Sequence, residues 1–247
     1  MANSSMPIDE LVVQLAQVHG AALSTVVLYG SAATDQQVQG QSDQNVLVIV
    51  EVLTLGALRQ LADVTRRWQD AGNPPPLTLT VREWQRSSDI FPMEYADILG
   101  AHRILHGTLP LAGIVVLSTD LRLQTEHEAM GKLLRLRRGV MTAGTDTKRQ
   151  SELLRASLSA LLVIFRAVLR LHQITPPREA AALARTVATQ CGFDAVPFER
   201  VAALVRGTNI PDREIELVLA GYVQGMESLV TYLDQFTPPQ AGDSLSH

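Results

Sequence analysis

The fold is decided by Leu28-Tyr29-Gly30-Ser31-Ala32-Ala33 and, after a loop, Ser42-Asp43-Gln44-Asn45-Val46-Leu47-Val48. Val26, Val27 and Leu28 form a short apolar run ended by Gly30, so Ser24 to Tyr29 reads as a buried strand. Ser31 to Gln41 is small, polar and rich in Gln, as a turn and loop should be. Asn45 to Glu51 reads as a second strand. Its core, Val46 to Val50, is unbroken apolar, which implies burial on both faces. Gly30 lets the backbone approach a phosphate with no side chain in the way. Ser31 and the amides after it, at the start of a helical turn, offer donors to phosphate oxygens. Two carboxylates two residues apart on one strand face can clamp a divalent cation.

Outward from this stretch the pattern is regular. Ile8, Leu11, Val12 and Leu15 recur at helical spacing, and Gly20 stops the helix. Leu55, Leu58, Leu61, Ala62, Thr65 and Trp68 mark an amphipathic helix that Gly72-Asn73-Pro74-Pro75-Pro76 ends. Leu77 to Val81 alternates as a strand does, a short helix follows near Arg82 to Ser87, and Ala101 to Leu105 reads as an edge strand. From Ser118 the chain turns helical. Thr119 or Asp120 caps a helix to about Met141, and Asp146 starts another to Leu171. Three more fit Arg178 to Gln190, Pro197 to Arg206 and Pro211 to Gln235.

The central stretch resembles the nucleotidyltransferases that include the aminoglycoside-modifying enzymes and the small bacterial MNT-type proteins. These share a strand, a Gly-Ser, a loop and a second strand opening with acid-x-acid. Eleven residues separate Ser31 from Asp43, within the family's usual spacing. The likeness is close over residues 24–51 and loose over most of the chain. It implies an α+β fold: a small mixed-sheet nucleotidyltransferase-like domain over 1–117, then an all-helical bundle domain over 118–236, then a flexible tail over 237–247. It implies a nucleoside triphosphate as ligand, held at Gly30 and Ser31, and Mg²⁺ at Asp43 and Asn45.

The expected carboxylates are not all present. Asp43 stands at the first acid position, but Asn45 at the second brings one neutral oxygen and no charge. The strand expected to supply the third acid offers Thr78 and Thr80. Two-metal displacement holds its ions ~3.5–4 Å apart, and several carboxylates are needed to offset their repulsion. Glu51 lies eight residues beyond Asp43, ~26 Å along an extended strand, too far to help. Asp35 lies in the loop, and Glu83, Asp89, Glu94 and Asp97 follow the third strand. For each, a solvated or capping acid is the ordinary role. Asp89-Ile90-Phe91-Pro92-Met93-Glu94 reads as a turn anchored by a buried Phe91, with Pro92 opening a helix. Its functional reading makes Glu94 the candidate catalytic residue, as general base or substitute ligand. Glu128 and Lys132, one turn apart, form a surface pair worth ~0.2–0.5 kcal/mol. The sharper reading has Lys132 and Arg135, with His127, meeting a nucleotide's phosphates.

Composition bounds the rest. The 247 residues carry a net charge of -4, which gives no general pull toward nucleic acid or anionic membrane. The single cysteine, Cys191, permits no internal disulfide, which fits a cytoplasmic protein. The longest apolar run, Leu158 to Val168, is broken by Arg166 and falls short of the ~20 residues a membrane span needs. Three functions compete: a degenerate member of the fold that binds a nucleotide with transfer weak or lost; an active transferase acting on a hydroxyl acceptor; and an antitoxin-like protein working through a protein partner or as a homo-oligomer.

Overall fold

The computed structural model describes residues 6–33 and 44–238. The chain divides between Val116 and Leu117 into two compact units. The expected tail beyond Pro238, like Asp35 and Asp43, lies outside the described residues.

The first unit opens with α1 (Ile8–His19), whose Leu11 and Leu15 turn inward. β1 (Leu23–Tyr29) leads through a 3-10 turn (Gly30–Ala33) toward β2 (Asn45–Val50). Then come α2 (Leu55–Gln60), α3 (Ala62–Asp70), β3 (Leu77–Thr80), α4 (Val81–Arg86), α5 (Pro92–Gly100) and β4 (His102–Gly107). The four strands form one mixed sheet in the order β3-β2-β1-β4. β1 pairs antiparallel with both β2 and β4, whereas β2 and β3 are parallel.

The apolar run of β2 is buried throughout after Asn45. Val46, Val48 and Val50 join Val26 and Leu28 under Leu11, Leu15, Val64 and Trp68. On the opposite face Val27, Leu47 and Ile49 are fully buried too, and α4 packs against β2 and β3. Each such side chain contributes roughly 1.5–3 kcal/mol by leaving water. β4 is the edge strand that the sequence suggests, displaced to His102–Gly107.

Three local readings change. The helix expected from Leu55 to Trp68 is two, joined at Leu61, which is itself buried in the core. Val81 leaves the strand because Thr80 and Glu83 form a capping box: the Glu83 amide donates to Thr80 Oγ1 at 3.2 Å, and the Thr80 amide to Glu83 Oε2 at 2.7 Å. Phe91 is 47% exposed rather than an anchor. Pro92 does open α5, but the packing is done by Tyr95, stacked on Trp84 at 4.4 Å and donating its hydroxyl to the Trp84 carbonyl at 2.6 Å.

The second unit contains α6 (Ser118–Ala143), α7 (Thr147–Leu171), α8 (Ala180–Cys191), α9 (Val196–Val205) and α10 (Asp212–Gln235), with no strand among its described residues. Asp146 caps α7 as expected, accepting from the Arg149 amide at 3.1 Å. The cap of α6 is Leu117, with no side-chain bond, and Asp120 lies inside the first turn. Gly139 leaves no room for a Cβ against Leu153, so α6 and α7 approach closely there. Phe165, Phe193, Phe198 and Tyr222 form the aromatic centre. None of the described helices is long and apolar enough to cross a membrane.

Burial pushes the Tyr95 phenol from 10.0 up to about 12, and the Cys191 thiol from 9.0 up to about 12. A pKa raised in the folded state gives stability that is complete below the unfolded value and lost as pH rises through the folded one. Urea midpoints should therefore fall progressively between pH 9.0 and about 12. A midpoint unchanged across that window would contradict the burial of both groups.

Candidate functional site

The turn after β1 is built around Gly30. Its φ of 75° is left-handed, a conformation that a side chain makes costly, and its amide donates to the Ala101 carbonyl at 3.0 Å. The backbone then coils through Ser31 to Ala33. Directly across the sheet from Tyr29 lie Asn45 on β2 and His102 on β4. Gly30 sits against Asn45: a Cβ on Gly30 would lie 3.6 Å from Asn45 Nδ2. The entry to β2 is fixed by Asn73, whose Oδ1 accepts from the Gln44 amide at 2.9 Å.

Two carboxylates border this end of the sheet. Burial raises the Tyr29 hydroxyl up to about 12, and the negative charges of Asp97 and then Glu94 reinforce the shift. Tyr29 is thus a neutral donor at physiological pH. Glu94 and Asp97 are three residues apart on α5 and so share a helix face. The structure therefore brings Glu94 to Tyr29, one residue before Gly30. His102 Nδ1 is 2.9 Å from the Ile98 carbonyl and must donate there, which leaves Nε2 as the acceptor of the neutral ring. Tyr29 and His102 carry no separate signal in the sequence, and Asp97 reads there only as a solvated or capping acid. Strand pairing and the helix turn bring them together, and no spacing rule connects them.

The register corrects the expectation for β3. Successive strand residues face opposite ways, so Asn45 shares a face with Leu47 and Ile49. Leu47 pairs with Leu77 and Ile49 with Leu79, whereas Thr78 pairs with Val48 and Thr80 with Val50. Both threonines thus lie on the face away from Asn45, and Thr80 is committed to its capping box. The β3 side chains on the face of Asn45 are leucines.

In the helical unit, Lys132 and Arg135 line a cavity of about 210 Å³ with Leu136, Leu153, Leu161 and Met226. Lys132 Nζ pairs with Glu128 Oε2 at 3.3 Å, the helical pair read from sequence. His127 does not join them. At 3.6 residues per turn it falls about 140° around α6 from Lys132, and it is exposed.

No family model matches the chain, and no curated protein matches it. Among solved structures, spectinomycin adenyltransferase AAD(9) from Enterococcus faecialis, solved with ATP and spectinomycin, is similar to it with a TM-score of 0.56 and 13% identity. The match covers 89% of this chain and 98% of that one. The chain has the nucleotidyltransferase fold. At this identity the likeness carries the fold alone, so chemistry has to come from the residues.

Asn45 is neutral, β3 supplies leucines to its face, and no group of three or more His, Cys, Asp or Glu able to hold a metal occurs among the described residues.

Two variants test this geometry. Gly30→Ala meets Asn45 at ordinary contact distance, so its cost is the left-handed backbone, roughly 1–2 kcal/mol, seen as a lowered melting temperature. Asn45→Asp should tighten Mn²⁺ binding about tenfold, the equivalent of ~1.4 kcal/mol. Adding Thr78→Asp to it should tighten binding no further, since the register turns Thr78 away. A further gain from Thr78→Asp would show the register to be wrong.

Proposed function

We propose that the chain binds a nucleoside triphosphate at the Gly30–Ser31 turn and that its nucleotidyl transfer is weak or lost. The observation that carries this reading is the sheet end itself. A glycine in the left-handed region opens a helical turn that can present amides to phosphate, while the strand face beside it holds Asn45 and leucines in place of acids. The similar adenyltransferase was solved with ATP, which supports a nucleotide as the ligand class. In this reading Asp43 and Asn45 hold at most one Mg²⁺.

Electrostatics supports the loss of transfer. Two unit charges 4 Å apart interact by ~4 kcal/mol at an effective dielectric of 20, and a divalent ion doubles that. Hydration of the free carboxylate cancels much of the gain, yet a net deficit of ~1.4 kcal/mol already weakens the metal tenfold. With acids missing at two positions, the second ion is not retained.

A second reading rests on Glu94. Its carboxylate acts on Tyr29 together with that of Asp97, so α5 offers acids where β2 and β3 do not. An active enzyme would use Glu94 as the substitute.

Calorimetry with ATP and Mn²⁺ should show binding by the native protein and at least tenfold weaker binding by Gly30→Ala held below its melting temperature. Labelled-nucleotide transfer should stay far below the ~1 s⁻¹ at the low end of ordinary turnover. Ordinary turnover that disappears in Asp43→Ala and Glu94→Gln would establish the second reading, and absence of triphosphate binding would remove both.

A further inference from the structure

The bundle helix α6 is apolar on two opposite sides. Leu121, Thr125, Ala129, Leu133 and Leu136 form its buried side. On the other side lie Leu123 (63% exposed), Met130 (42%), Leu134 (44%) and Met141 (76%). At 100° per residue these four fall within about 40° of one another, roughly opposite the buried stripe. His127 and Arg137 complete the row, so the exposed positions 123, 127, 130, 134, 137 and 141 are spaced 4, 3, 4, 3, 4. That alternation is the seam of a two-helix coiled coil.

We propose that this face is the contact of an antiparallel homodimer, with α6 of a second copy of this chain laid along it. The spacing reads the same in both directions, so a two-fold axis makes the stripe complementary to itself, as an isologous interface requires. Reversal sets Leu123 against Met141 of the second copy, Met130 against Leu134, and His127 against Arg137. Charge selects this orientation. Glu126, which pairs with Arg122 of its own helix at 2.7 Å, lies on the same flank of the stripe as Arg137, so antiparallel helices bring Glu126 level with Arg137 of the second copy. Arg137 already meets Glu227 of its own α10 at 2.7 Å, and the dimer would give it a second carboxylate. A parallel pair would instead set Arg137 against Arg138, two like charges. The stripe is short, ~27 Å from Leu123 to Met141, and carries four apolar side chains per copy, so the dimer forms reversibly and with concentration.

Light scattering on the full chain should give a mass that rises with concentration from 26.9 kDa toward twice that value. Met130→Glu with Leu134→Glu, both at exposed positions, should keep native helicity and the single-chain mass. Orientation is read by cross-linking. In Leu123→Cys with Met141→Cys the two thiols of one chain lie ~27 Å apart, far beyond the ~7 Å limit for a disulfide. Oxidation should therefore give a covalent dimer, and Leu123→Cys alone should give none. Cys191 is buried and does not compete. A native mass fixed at 26.9 kDa at every concentration overturns the proposal. So does a dimer that persists in the double Glu variant, and cross-linking by Leu123→Cys alone overturns the antiparallel register.

Discussion

The antiparallel pairing of β1 with β2 is the constraint on which the first unit depends. Both strands are buried on both faces, so their side chains must match two helical layers at once. A shift of one residue would send Val46, Val48 and Val50 to the α4 side and Leu47 and Ile49 to the α1 side, breaking both cores. The register is therefore fixed by packing. Once fixed, it leaves no freedom at the end of the sheet: Tyr29 must stand beside Asn45, and Gly30 must begin the turn there.

That rigidity separates scaffold from chemistry. The turn, its left-handed glycine and the strand pair are set by the backbone. The acids are a matter of single side chains, which can change without disturbing the pairing. Asn45 on β2 and Leu77 and Leu79 on β3 share one face of the sheet, so that face carries no charge at these positions. The same fold can therefore stand with or without the reaction.

Much of this was legible in the sequence for physical reasons. Val46 to Val50 is apolar without interruption, and only a strand buried on both faces tolerates that. Asp146 and Pro92 announce helix starts through their own chemistry. What the sequence does not carry is the relation between strands. Alternation in Leu77 to Thr80 identifies two faces but not which one Asn45 shares, and that required the pairing of Leu47 with Leu77. Likewise the nearness of Glu94 and Asp97 to Tyr29 arises from α5 packing beside the turn, sixty-odd residues further along the chain. Asp43, the acid most legible in sequence, lies outside the described residues.

The central claim is that the turn still meets a triphosphate while the face beside it no longer supports transfer. The most direct measurement is an amide-resolved nuclear magnetic resonance titration of the native protein with ATP and Mg²⁺, with pyrophosphate release followed in the same tube. The account predicts saturable shifts at the Gly30 and Ser31 amides and no pyrophosphate beyond a nucleotide blank over hours. Unshifted Gly30 and Ser31 amides at saturating ATP, or pyrophosphate released at an enzymatic rate, would contradict it.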